Sequence, residues 1–516
     1  MLFIPYEKIG GNMNQPLNLR GQGLILGALL VALTIIPGGQ LVAQEFSEKK
    51  EVAVLSLSYD DVPVRIEIPP ELQEQLEITV IVDNPRTGER NLPRKGVSVK
   101  YKQQEIVVPT PEEVRSEFTR GFSNIDSQIR QAFVEIGRFD IIGETFSISE
   151  PDIDSFVKIF REYRENGVAL PEEVQLGRQS FTAGDFQRLI DGYYLVVPAV
   201  SYYMAELTED TEYNVEIEVA FAFIDMELGQ TFERFTISLS GSGENLSRAI
   251  SSAITTLPSR LSFRIRQIEE FQILTGITDI IGRQVLIEFG KNMGIEKGDE
   301  YAIVTVEQVG SYSSEEESGL IYITDVRENF SFGVPVYSKN TPVIGDQLRE
   351  VPRFGTEVEV YGGVQNMDME NLLDLMPVFG FLVTGSRGFY PIRPLMKIEL
   401  PFTFARGEYN TVDGSYVSTT LAVGGEYMLM WGRFRLAPYV LLGGIGGTYT
   451  DALAADEGEE NDSTRISHLG VSAGARVGYH LTRDILLTLD PAFRAFVGLD
   501  APSIIGPVLS FGVVIK

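Results

Sequence analysis

The sequence predicts a multidomain chain, α+β and all-β in class. It comprises a periplasmic α/β domain, a small β-barrel and a C-terminal eight-stranded antiparallel transmembrane β-barrel over residues 356–516. Three observations predict this. Apolar and polar residues alternate over stretches such as 392–404, 421–431, 469–481 and 505–515, each about twice the usual soluble strand of about 5–6 residues and long enough to cross an outer membrane. The connections between these stretches are long on one side and short on the other. An apolar run near the N-terminus reads as an export signal.

The alternation assigns the faces. Ile392, Pro394, Met396, Ile398, Leu400, Phe402 and Phe404 share one side of their strand, and Arg393, Lys397, Glu399 and Thr403 the other. Leu421, Val423, Tyr427, Leu429 and Trp431 form a second stripe, as do Leu469, Val471, Ala473, Val477 and Tyr479, and then Ile505, Leu509, Phe511, Val513 and Ile515. Charged residues opposite these stripes, Glu357, Glu359, Lys397, Glu399, Glu426, Arg476, Asp490 and Arg494, are expected in the lumen. An eight-stranded barrel is just wide enough for side chains to fill, and an unpaired buried charge is costly. The lumen is therefore expected to be plugged by ion pairs. If the first strand enters from the periplasm, connections near 366–376, 406–417, 451–464 and 498–503 face outside, and the short turns 386–391, 431–433 and 481–484 face inside. Trp431, Phe434, Tyr479 and Phe404, near strand ends, fit the aromatic girdles of a membrane interface. A soluble sandwich also alternates, but it needs neither long strands nor a loop asymmetry. The region resembles the small eight-stranded outer-membrane anchor barrels of OmpA type, which implies an anchor. Those barrels typically end in an aromatic residue, where this chain has Val514, Ile515 and Lys516.

Composition removes whole classes of function. A formal charge of −29 argues against nucleic acid as a partner. With no cysteine, there is no disulfide, thiolate metal site, cysteine nucleophile or cysteine lipid anchor. The two histidines, His468 and His480, both fall in the barrel, leaving no His-rich metal site or Ser-His-Asp triad elsewhere. No catalytic residue, metal or cofactor is expected. Asp60-Asp61 reads as a turn, and the acidic stretch 451–462 as a charged loop facing the medium, without EF-hand spacing.

Residues 1–44 read as a signal peptide: Arg20, the apolar run 24–36, then Ala43 near a plausible cut, with Met13 a candidate start. That run is too short to span as a helix. In the domain expected over 51–268, Val52–Leu57 opens as a strand. A charged span follows, with strands at 77–82 and 97–101 joined by a turn at 84–88. Thr110, Pro111 and Glu113 signal a helix start, and Val114, Phe118, Phe122, Ile125, Ile129, Phe133 and Ile136 carry one helix to Gly137. A strand at 138–142, a helix at 152–165 and a short helix at 185–190 come next. Strands at 193–203, 214–225 and 231–240 precede a closing helix at 245–264.

Gly137-Arg138-Phe139, Asp191-Gly192-Tyr193-Tyr194-Leu195 and Asp225 with Leu228-Gly229 resemble motifs of the curli secretion channel subunit's periplasmic domain and of flagellar-ring assembly proteins. Asp191 stands where that pattern has Ala, and Leu228 where it has Thr. Residues 271–350, with Gly298-Asp299 and Gly345-Asp346 as turns, resemble the SH3-like domain of the same ring proteins. Gly294-x-x-x-Gly298-Asp299 lacks the Lys-Ser/Thr and the helix of a phosphate loop. Residues 311–318, with three consecutive glutamates, read as a solvated loop.

The expected function is a non-enzymatic outer-membrane protein. Its barrel anchors periplasmic modules for envelope or appendage assembly, with outer-membrane lipid, other envelope proteins and copies of itself as partners. The alternative is an oligomeric secretion or transport channel. A barrel hydrolase would need a nucleophile and base at the rim, where histidine is scarce.

Overall fold

The computed structural model describes residues 47–516, apart from 71–80, 85–86, 91–96, 102–103, 123–124, 144–145, 167–172, 177–178, 183, 185–193, 209, 310–311, 367–374, 406–413, 452–462 and 500–502. The expected signal peptide, the short helix at 185–190, the acidic loop and most of each long barrel connection lie outside the described residues.

The chain starts with β1 (Lys50–Val54), β2 (Val64–Glu67), β3 (Ile81–Asn84) and β4 (Glu89–Arg90). Residues 77–80 of the hairpin expected between 77–82 and 97–101 lie outside the described residues, and among the described ones 81–84 does not pair with 97–101. Instead β3 turns back on β4, and β5 (Val97–Tyr101) pairs with β6 (Gln104–Val108), the nearer partner that closes the smaller loop. Thr110 then starts α1 (Pro111–Phe122) through a capping box. The Glu113 amide donates to its hydroxyl at 3.2 Å, and the Thr110 amide donates to the Glu113 carboxylate at 2.6 Å. The helix expected to Ile136 is described as α1 and α2 (Ile125–Ile136), residues 123–124 between them lying outside the described residues. Gly137, at φ +80°, ends it and feeds β7 (Phe139–Gly143).

Next come α3 (Ile153–Asn166), the hairpin of β8 (Glu173–Leu176) and β9 (Gln179–Thr182), and the long β10 (Tyr194–Leu207), β11 (Tyr213–Asp225) and β12 (Gln230–Gly243). The closing helix is split, into α4 (Leu246–Ile254) and α5 (Leu257–Gln267). Pro258 lacks the amide that would continue the ladder. β10 is the hub of the sheet. It is antiparallel to β11 along one side, while its first half pairs in parallel with β1 and its second half with β2. Phe118, Phe133, Tyr203, Phe223 and Leu261 lie in the core between one face and α1, α2, α4 and α5. Phe156 and Phe160 of α3 cover Leu195, Ala222 and Ile224 on the other.

The middle unit is a closed six-stranded barrel of β13 (Leu274–Ile281), β14 (Gln284–Ile287), β15 (Glu300–Val309), β16 (Tyr312–Val326), β17 (Ser331–Ser338) and β18 (Gln347–Val351) around Ile277, Ile287, Tyr301, Ile321 and Leu348. The solvated loop expected over 311–318 is instead largely strand: β16 begins at Tyr312 and pairs with β15. Its three glutamates are tolerated because each has a cation, Glu315 with Arg349 at 2.5 Å, Glu316 with Lys339 and Glu317 with Arg483.

The last unit contains β19 (Thr356–Asn366), β20 (Leu375–Gly385), β21 (Ile392–Ala405), β22 (Gly414–Tyr427), β23 (Leu429–Trp431), β24 (Phe434–Asp451), β25 (Ser463–His480), β26 (Ile485–Gly498) and β27 (Ile504–Ile515). β22 and β23 are one strand interrupted at Met428, since both pair with β24. Eight strands thus pair antiparallel in sequence order, and β27 meets β19 to close the barrel. The strands are joined at one end by turns of a few residues, at 386–391, 432–433 and 481–484.

Candidate functional site

The pleat sends alternate residues of the closed barrel to opposite sides, and the two sides differ completely in chemistry. Val358, Val360, Phe379, Phe381, Leu421, Val423, Val440, Leu442, Leu469, Leu509 and Phe511 are exposed on the outside. A ring of aromatic residues stands at the short-turn end. Trp431 and Phe434 are cross-strand partners, and Phe434 is opposite Tyr479 with ring centroids 5.1 Å apart. All three are exposed, as are Tyr427 and Phe389 nearby. The Phe404 side chain lies outside the described ones.

All eight predicted lumen residues are buried inside: Glu357, Glu359, Lys397, Glu399, Glu426, Arg476, Asp490 and Arg494. The structure adds Arg435 and joins to them Arg393, already read on the same side as Lys397, so that five carboxylates face five cations among the described residues, with Lys516 a sixth at the short-turn end. Nearest the short turns, Glu357 accepts from Arg393 at 2.6 Å and Arg435 at 2.8 Å. One layer further in, Arg476 bridges Glu359, at 2.7 Å, and Glu426, which also lies 3.4 Å from Arg393. Toward the long-loop end, Lys397 lies 3.3 Å from Glu399 and 3.7 Å from Asp490, over the Tyr361 ring at 4.8 Å. Tyr361 and Tyr439 donate to Glu399 and Asp490 at 2.7 and 2.9 Å, while Arg494 joins Glu399 to Gln365.

Room for these side chains comes from inward glycines. A Cβ on Gly380 would meet the Tyr361 hydroxyl at 2.5 Å, and one on Gly512 the Thr488 hydroxyl at 2.7 Å. The sequence carried a signal for Arg393, which alternates in phase with Lys397. Arg435 is in phase with no other lumen charge on its own strand.

A second ionic chain runs beneath the barrel and joins all three units. Glu350 of β18 accepts from Arg138 at 2.5 and 3.1 Å, from Arg266 at 2.6 Å and from the Ile273 amide at 3.2 Å. Asp299, expected only as a turn residue, is buried. It accepts from Arg266 of α5 at 3.0 Å and from Arg387 of the first short barrel turn at 2.9 Å. Arg353, in the link from β18 to β19, donates to Glu300 at 2.8 Å, to Asp484 at 2.7 Å and to the Arg483 carbonyl at 2.8 Å. The Lys516 ammonium, 2.5 Å from Glu300 and 3.8 Å from Glu357, joins this chain to the lumen network. Backbone passes closely at both junctions. Gly294 packs on the Ile136 carbonyl, and the Gly388 amide donates to the Lys297 carbonyl at 2.7 Å.

No protein-family model matches the chain, and no curated protein matches it. Solved structures similar to it include the Neisserial surface protein A (13 % identity, TM-score 0.23, covering 31 % of this chain and 97 % of that one). Two others are Ail, the attachment invasion locus protein of Yersinia pestis (12 %, 0.22, 31 % and 97 %), and the N-terminal β-barrel domain of Pseudomonas aeruginosa OprF (13 %, 0.21, 31 % and 96 %). At such identities and scores, these likenesses add nothing to the barrel's own pairing.

Proposed function

We propose that the chain is a non-enzymatic outer-membrane protein whose filled barrel anchors the two other units on the periplasmic side. There they serve envelope or appendage assembly by binding other envelope proteins. The observation that carries this reading is the inversion of the barrel: apolar side chains outside, and inside a set of carboxylates and cations that pair with one another. In water the apolar belt would be a liability, whereas in lipid it is the required surface. Among the described residues no helix is long and apolar enough to cross a membrane, so the crossing falls to the strands. The aromatic ring at the short-turn end marks one interface. The seam of ion pairs at that end, Arg387 to Asp299 and Arg353 to Glu300, holds the soluble units at the same side as the short turns, which supports a periplasmic position for them.

The test is purified full-length protein in planar bilayers, with vesicle flotation run alongside. The anchor reading expects the protein to float with lipid and to show no stable conductance. Discrete conductance steps would favour the channel alternative. A mature chain that stays soluble without detergent would remove the membrane reading altogether.

A further inference from the structure

Helix α5 carries a charge opposite to that of the chain. It holds Arg260, Arg264 and Arg266 and no carboxylate, in a protein of net charge −29. Leu257, Leu261, Ile265 and Arg266 turn inward, leaving Arg260, Phe263, Arg264 and Gln267 together on the opposite face. Both outward arginines are held in place. Arg260 donates to the Ser238 carbonyl at 2.6 Å, while Arg264 lies over the Phe235 ring at 5.5 Å and donates to Gln267 at 3.1 Å. Among the described residues no carboxylate pairs with either. Some outward arginines of the same unit do have one, as Arg234 has Asp154 and Arg248 has Glu244.

A separate observation places this face. Phe354, in the link before β19, is 53 % exposed and lies two residues before Thr356, where the strand bearing Val358 and Val360 on its outside begins. It therefore sets an exposed aromatic ring beside the barrel's edge. The first short barrel turn holds this link, because the Ser386 amide donates to the Gly355 carbonyl at 2.8 Å. Phe263 of α5 packs edge-on against Phe354, with centroids 5.4 Å apart and planes at 84°. The arginine face of α5 thus adjoins the rim where belt gives way to water.

We propose that Arg260, Phe263 and Arg264, with Phe354, form a docking surface for the net-anionic phosphate headgroups of the lipid leaflet facing the short turns. The N-terminal unit would then lie against the membrane. The inference rests on the membrane-anchor reading above. Guanidinium groups suit phosphate through paired N–H donors. Aromatic rings favour the interfacial layer, and cations near an anionic surface add to the attraction.

The test uses the full chain folded into vesicles of phosphatidylcholine, with and without phosphatidylglycerol. The single tryptophan, Trp431, reports on the barrel through quenching by bromine-labelled lipid. An indole introduced by F263W in a W431F background reports on α5, and F354W, at an exposed position, provides a second probe. Acrylamide should reach either introduced indole several-fold less well when phosphatidylglycerol is present. R260Q/R264Q should abolish that difference, while Gln keeps a donor for the Ser238 carbonyl. Equal access in the two lipids, or a difference that survives R260Q/R264Q, overturns the docking surface and leaves the anchor standing. Failure of bromine-labelled lipid to quench Trp431 overturns both.

Discussion

Glu350 shows how much a single buried carboxylate holds. Burial by itself raises its pKa, but the guanidiniums of Arg138 and Arg266 outweigh that effect and bring it down to about 2. Its folded value lies below its unfolded value, so its stabilisation is complete above about pH 4.5 and is lost as pH falls toward about 2, in all about 3 kcal/mol. Denaturant unfolding at a series of pH values should show that loss in the native chain. Glu350→Gln should flatten it and cost about 3–5 kcal/mol at neutral pH, because two buried cations lose their partner. A native midpoint that stays level through this acid range would refute the assignment. Inside the barrel, Glu357 has the same role toward Arg393, Arg435 and Lys516. Glu357→Leu should lower resistance to denaturant by about 3–5 kcal/mol, and adding Arg435→Leu should restore part of it. Additive effects of the two changes would show that the pair does not interact.

At the scale of elements, the turns separate backbone cost from packing cost. Gly229 joins β11 to β12 at φ +62°, and Gly282 joins β13 to β14 at φ +65°. A Cβ would find ordinary contact with Phe160 at 3.6 Å at the first and open space at the second. Gly229→Ala and Gly282→Ala should each cost about 1 kcal/mol, from the left-handed backbone alone. A much larger loss at either, measured by denaturant melting, would mean that the turn does more than reverse the chain. The strands that these turns join were easy to read, because alternation is a local property that survives any register. The Leu469 stripe and the Ile505 stripe emerge on the outside, as read. Ion-pair partners were not readable. Glu357 meets Arg393 and Arg435 only after closure fixes which strands face one another across the lumen. The helix break at 255–256 lies between these cases. Pro258 announces the split of α4 from α5 in sequence, but the outward periodicity on either side masks it. The parallel seating of β1 and β2 on β10 leaves no local trace at all.

For the whole molecule, the question is whether three units behave as one body. Asp299 looked like a turn residue because it is one: Gly298 before it has φ +91°. What the sequence hid is that this turn lies where Arg266 of the first unit and Arg387 of the third converge, an arrangement that exists only once all three have folded. The same holds for Arg353, whose partners Glu300 and Asp484 belong to the middle unit and to a barrel turn. Such a seam should transmit stiffness without contributing to the folding of any one unit. Arg353→Gln should therefore leave the barrel's resistance to denaturant within about 1 kcal/mol, since buried Glu300 keeps the Lys516 ammonium at 2.5 Å and Asp484, half-exposed, is screened by water. Amide hydrogen exchange should speed up at the junction, in residues 354–356 and 386–388, because those hydrogen bonds are held by the seam rather than by either barrel's core. Lys516→Met should act in the same places and add exchange at 298–300, where its ammonium meets Glu300. If either variant instead melts β19 through β27, the ion pairs are part of the barrel's own stability. The three units would then fold cooperatively rather than dock after folding.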